Sequence, residues 1–149
     1  MSAGMKKTKN SFVLIELILV ILLVSVIAGL SSPRFRNSFT SLKLKDTCFN
    51  IVKLANYAQE MAIVERVNYK MTFNSQSGQF YLSRAKDSQK VFSLPKGFSF
   101  STSANPLEVF FYPDGRLKAQ ELKVTANNGE ARLINFKSFG SKFEIKSVN

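Results

Sequence analysis

Ser11-Phe12-Val13-Leu14-Ile15-Glu16-Leu17-Ile18-Leu19-Val20-Ile21-Leu22-Leu23-Val24-Ser25-Val26-Ile27-Ala28-Gly29-Leu30 is the stretch on which the reading of this 149-residue chain turns. From Phe12 to Leu30 its single ionisable side chain is Glu16. As a helix rising about 1.5 Å per residue it nearly crosses a hydrocarbon core of about 30 Å. A helix is also the form that satisfies its own backbone hydrogen bonds in lipid. Lys6, Lys7 and Lys9 precede it, with no acid among residues 1–11. Those lysines are expected to stay cytoplasmic and to send the rest of the chain outward.

Three readings fit an N-terminal apolar run. A secretory signal peptide has a shorter apolar region and is cut after it, here around Ala28 to Ser32. A plain uncleaved anchor needs no acid. The third reading starts from Glu16: a carboxylate at the centre of a membrane helix costs about 2.5–3.5 kcal/mol on insertion scales, and less near the interface. Acids retained inside membranes usually have a partner and a function.

Ser11-Phe12-Val13-Leu14-Ile15-Glu16, the apolar run behind it and Pro33 together resemble the processing motif of type IV prepilins and type II secretion pseudopilins. The likeness covers about the first 35 residues, with leader, glutamate, helix and proline in register. It implies a basic leader, residues 1–11, that prepilin peptidase removes between Ser11 and Phe12, leaving Phe12 as an N-methylated first residue. It further implies that the Glu16 carboxylate meets the N-terminal amine of a neighbouring subunit during filament assembly, where an opposite charge offsets a desolvated acid. The plainer alternative is that Glu16 pairs only with its own chain's amine, helped by the helix dipole. Residues 12–32 become the membrane and filament-core helix. The partners are other pseudopilins or pilins, the peptidase, an inner-membrane assembly platform, and lipid before assembly. The expected location is the bacterial inner membrane, single-pass, with the leader cytoplasmic and residues 33–149 exported. Two positions depart from the pattern: Ser11 stands where the family usually has Gly, and Val13 where it has Thr or Ser. A start at Met5 would give the compact leader Met5-Lys6-Lys7-Thr8-Lys9-Asn10-Ser11.

Pro33 lacks a backbone donor and disfavours helix in the residue before it, so a kink or a break is expected where the helix leaves the membrane. Beyond it, Phe35, Phe39, Leu42, Cys48, Ile51, Val52, Ala55, Ala58 and Ala62 recur at spacings near three and four, predicting an amphipathic helix over about 34–67. The remainder reads as six to eight short antiparallel strands. Tyr69–Phe73 and Gln79–Leu82 flank Ser75-Gln76-Ser77-Gly78, a hairpin signal. Leu107–Tyr112 is apolar on both faces and reads as a buried strand ending at the Pro113-Asp114-Gly115 turn. Leu122, Val124 and Ala126 alternate with polar residues up to Asn128-Gly129, and Ile134, Phe136, Phe143 and Ile145 carry the alternation on past Gly140. The fold class is therefore α+β: a long N-terminal helix followed by an antiparallel sheet or small β-sandwich head.

Histidine is absent and cysteine occurs once, at Cys48, which removes His-based catalysis and metal binding along with any intrachain disulfide. No catalytic residue, metal site or cofactor is expected, and the chain does not read as an enzyme. The run Phe111-Tyr112-Pro113-Asp114-Gly115 after helix and hairpin is similar to minor pseudopilins of the H type and to tip-set minor pilins. A C-terminal disulfide loop of the major-pilin kind is impossible. Glu130 and Glu144 are too far apart in sequence to suggest a calcium loop of the major-pseudopilin kind. The resemblance thus implies a minor pseudopilin of a type II secretion pseudopilus, at or near its tip. The alternative is a minor type IV pilin for pilus priming or DNA uptake. The net charge of +11, which falls to +8 without the three leader lysines, supports that alternative. Its candidate DNA contacts are Lys123, Arg132, Lys137, Lys142 and Lys146, although lysines spread along strands more often form a solvated face.

Overall fold

The computed structural model describes residues 7–85, 87–137 and 143–148, with backbone alone at 7–11, 31–36 and 87–89. The chain divides into two units, residues 1–38 and 39–149. A single helix, α1, spans Lys7–Glu65. Eight strands follow: β1 Tyr69–Asn74, β2 Gln79–Arg84, β3 Asp87–Ser93, β4 Phe98–Thr102, β5 Leu107–Phe111, β6 Gln120–Ala126, β7 Ala131–Phe136 and β8 Glu144–Val148.

The helix corrects one expectation directly. Pro33 does not end it, because the helical assignment runs unbroken from Lys7 to Glu65. Proline in a helix interior removes one hydrogen bond and costs about 3 kcal/mol, which bends or weakens a long helix more readily than it terminates one. The second end lies close to where the periodicity put it: α1 stops at Glu65, and Arg66 turns the chain in the left-handed region with φ 55°.

Within residues 39–149 the helix buries Leu44, Cys48, Ile51, Val52, Ala55, Ala58 and Ala62. Phe39 and Leu42, expected on the same stripe, are instead 60% and 65% exposed. Leu44 lies four residues before Cys48 and so shares its face, whereas Leu42 is two residues from Leu44 and projects elsewhere. The exposed rings are partly covered from their own helix: the Nζ of Lys43 lies 4.7 Å from the Phe39 ring, and that of Lys53 lies 4.7 Å from the Phe49 ring.

The strands form two four-stranded antiparallel sheets, ordered β3-β2-β1-β5 and β4-β6-β7-β8. Their inner faces meet through aromatic contacts: Phe73 lies 5.4 Å from Phe100 edge-to-face and 6.2 Å from Phe136, while Phe80 lies 6.0 Å from Phe100. The head is thus a small β-sandwich with a helix packed on its core, one of the two forms predicted.

The turns follow from their residues. Between β1 and β2 the Asn74 Oδ1 accepts from the N–H groups of Gln76 (2.9 Å) and Ser77 (3.2 Å), and Gly78 takes φ +64°. After β5, Asp114 Oδ1 accepts from the Arg116 N–H at 3.0 Å, Gly115 takes φ +80°, and the Gly115 carbonyl accepts from Gln59 Nε2 at 3.0 Å, tying this turn to α1.

Candidate functional site

Every described side chain from Phe12 to Leu30 is exposed, and each large apolar one among them is at least half so. Among the described residues nothing covers this segment, and it is apolar nearly all round the helix, as a segment meant for lipid or for other helices is. Ser25 spends its hydroxyl on the Ile21 carbonyl at 2.7 Å, so it presents no unpaired polar group. Glu16 is exposed on this segment four residues after Phe12, about one helical turn away. Ser11 lies in the same helix. A cut between Ser11 and Phe12 would therefore leave a chain end one turn from the acid.

The five candidate DNA-binding residues do not form one surface. Lys123 on β6 is paired in register with Leu133 on β7, and Leu133 with Lys146 on β8, so both lysines lie on the outer face of their sheet. Lys137 follows β7 beside them. An open depression of about 920 Å³ runs over this face, lined by Lys123, Lys137 and Lys146 but also by Glu121 and Glu144. Glu144 lies 2.7 Å from Lys137 Nζ and 3.9 Å from Lys146 Nζ. The hydrogen bond from Lys137, then the charges of both lysines, hold its carboxyl below the usual range.

Arg132 faces the other way. It pairs with Val124 across the ladder on the core face, and its side chain is 21% exposed. Its Nη2 lies 3.7 Å from Glu130, which also accepts from the Ser41 hydroxyl of α1 at 3.0 Å. Arg132 is removed from the proposed contact surface on these grounds: an alternate position on a strand reverses the side chain's direction. Lys142 lies outside the described residues.

No family model and no curated protein sequence matches the chain. Among solved structures it is similar to the minor pseudopilin EpsH from the type 2 secretion system of Vibrio cholerae, with a TM-score of 0.57 and 10% sequence identity, over 70% of this chain and 97% of that one. The fold is that of a minor pseudopilin. At this identity the likeness is one of architecture, and it agrees with the pilin-like α+β class expected from the sequence.

The pseudopilin-like head also has an outer face that the sequence reading missed. Leu107–Tyr112 is buried on one side only: Leu107, Val109 and Phe111 enter the core, while Glu108, Phe110 and Tyr112 point away from it, with Tyr112 40% exposed. The strict alternation was visible, but an apolar residue at nearly every position masked it. The one charged position, Glu108, was the signal that this side is wet. Among the described residues, no cluster of His, Cys, Asp and Glu could hold a metal ion.

Proposed function

We propose that this chain is a minor pseudopilin, a structural subunit of a type II secretion pseudopilus at or near its tip. Prepilin peptidase removes residues 1–11 and methylates Phe12, and the subunit waits in the inner membrane with its head exported. One observation carries this reading. A fully exposed apolar helical segment with a single acid near its start belongs to the same helix, α1, that packs into a pseudopilin-like head. Lipid accommodates the apolar surface before assembly, and neighbouring helices cover it afterwards. The Glu16 carboxylate, left without a counter-charge among the described residues, meets the methylated amine of the adjacent subunit. The bare head face of β6, β7 and β8 supports the DNA-uptake alternative less, since Glu144 pairs with two of its three described lysines.

The test is mass spectrometry of the protein recovered from its native membrane. A mature chain beginning at methylated Phe12 is expected. A start beyond residue 28 would instead mark a signal peptide, and an intact leader in a host that trims its other pilins would mark a plain anchor. Ser11 replaced by a bulky residue should leave the band unshifted on a gel.

A further inference from the structure

On the outer face of the β3-β2-β1-β5 sheet, Phe110 and Tyr112 have their ring centroids 6.5 Å apart and their planes within 20° of parallel. Lys70, the cross-strand partner of Phe110, has its Nζ 5.7 Å from that ring. Two open depressions flank the pair. One, of about 510 Å³, is lined by Arg66, Asn68, Lys70 and Phe110. The other, of about 380 Å³, is lined by Tyr112, Asp114, Arg116 and Lys118. Of the four cations, Lys70 is paired with Glu108 at 2.9 Å and Arg116 with Asp114. Among the described residues neither Arg66 nor Lys118 has a carboxylate partner, so a positive charge remains at each end of the aromatic pair.

We infer that this face binds single-stranded nucleic acid, with bases stacked on Phe110 and Tyr112 and phosphates held by Arg66 and Lys118. Aromatic rings between cations are what a single strand requires, because its bases are free to stack and its backbone carries regular negative charge. Near-parallel rings with centroids 6.5 Å apart offer two stacking faces to the bases of a flexible strand. Bases in a duplex are already stacked on each other and cannot do this. The residues of this face all belong to the head, so the inference holds for a subunit of either kind of filament and stands apart from the assembly reading.

The experiment uses the full chain in detergent micelles and a short fluorescein-labelled oligothymidylate, read by anisotropy across a salt series. Binding that weakens steeply with salt is expected, with the single strand preferred over a duplex of the same length and over polyphosphate. Tyr112→Leu should weaken it about five- to a hundred-fold, the range that loss of one base–aromatic stack gives. Lys118→Gln should weaken it and flatten the salt slope, while Lys123→Gln on the other sheet should leave it unchanged. Tyr112 is exposed enough that its replacement should not alter the far-UV circular dichroism, which separates lost binding from lost folding. No retention at low salt, equal binding of polyphosphate, or a silent Tyr112→Leu would each overturn the inference.

Discussion

Cys48 is fully buried on the inner face of α1, and burial pushes its thiol up to about 11, with the nearby charge of Arg132 pulling weakly the other way. The unfolded thiol ionises near its ordinary value of 9.0, so above that pH the unfolded chain releases a proton that the folded chain keeps. Stability from this group is complete below pH 9 and declines toward pH 11. A thermal unfolding midpoint should therefore fall across that window more steeply for the native chain than for Cys48→Ala, and equal slopes would contradict it. Such a thiol is also a poor nucleophile, and this agrees with its reading as packing rather than chemistry. In the proposed assembly Glu16 is the converse case, a charge whose partner is the chain end of a neighbouring subunit. Glu16→Ala should leave membrane insertion intact and impair incorporation into filaments, measured by co-purification with the other subunits, and normal incorporation would show the pairing to be dispensable. Cys48 was legible in the sequence as a packing residue. Arg132 was not, because its direction depends on which face of β7 the sandwich closes over.

At the scale of elements, α1 carries two kinds of aromatic and aliphatic side chain that its sequence does not distinguish. Ile51→Ala, in the core, should cost about 2–5 kcal/mol in chemical denaturation. Phe39→Ala, whose ring meets only solvent and Lys43 among described contacts, should cost about 1 kcal/mol or less. The difference arises because helical spacing defines faces only up to the choice of which face the sheets cover. Turns were far more legible. The β6–β7 reversal at Asn128-Gly129 places Gly129 at φ +86°, with the Asn128 Oδ1 accepting from the Glu130 N–H at 3.0 Å. Gly129→Ala should lose about 1–2 kcal/mol, since the left-handed region penalises a Cβ even where, as here, open space surrounds it. Edge strand β3 was not singled out because Asp87–Ser93 is largely polar, and edge strand β4 because its Phe98-Ser99-Phe100-Ser101 alternation spans only five residues.

For the molecule as a whole, the proposed function gives the apolar segment and the sandwich different solvents. The full chain should remain in the membrane pellet after an alkaline carbonate wash, and deletion of residues 12–30 should release it to the supernatant; release of the full chain would argue against a spanning helix. The sequence by itself pointed to that division: a nineteen-residue span, apolar but for Glu16 and Ser25, and a run of alternating strands suit different environments, since hydrophobic periodicity is a local property written in consecutive residues. It also determined the turns at Gly78, Gly115 and Gly129, where a single residue's backbone freedom is enough, while the turn expected at Gly140 lies outside the described residues. Only the tertiary structure decided the pairing of eight strands into two sheets, the placing of Arg132 inside and Lys123 outside, and the meeting of Phe110, Tyr112 and Lys70 on one surface. Those outcomes depend on contacts between residues distant in the chain, and the free energy of burying one sheet face against another has no signature in either segment alone.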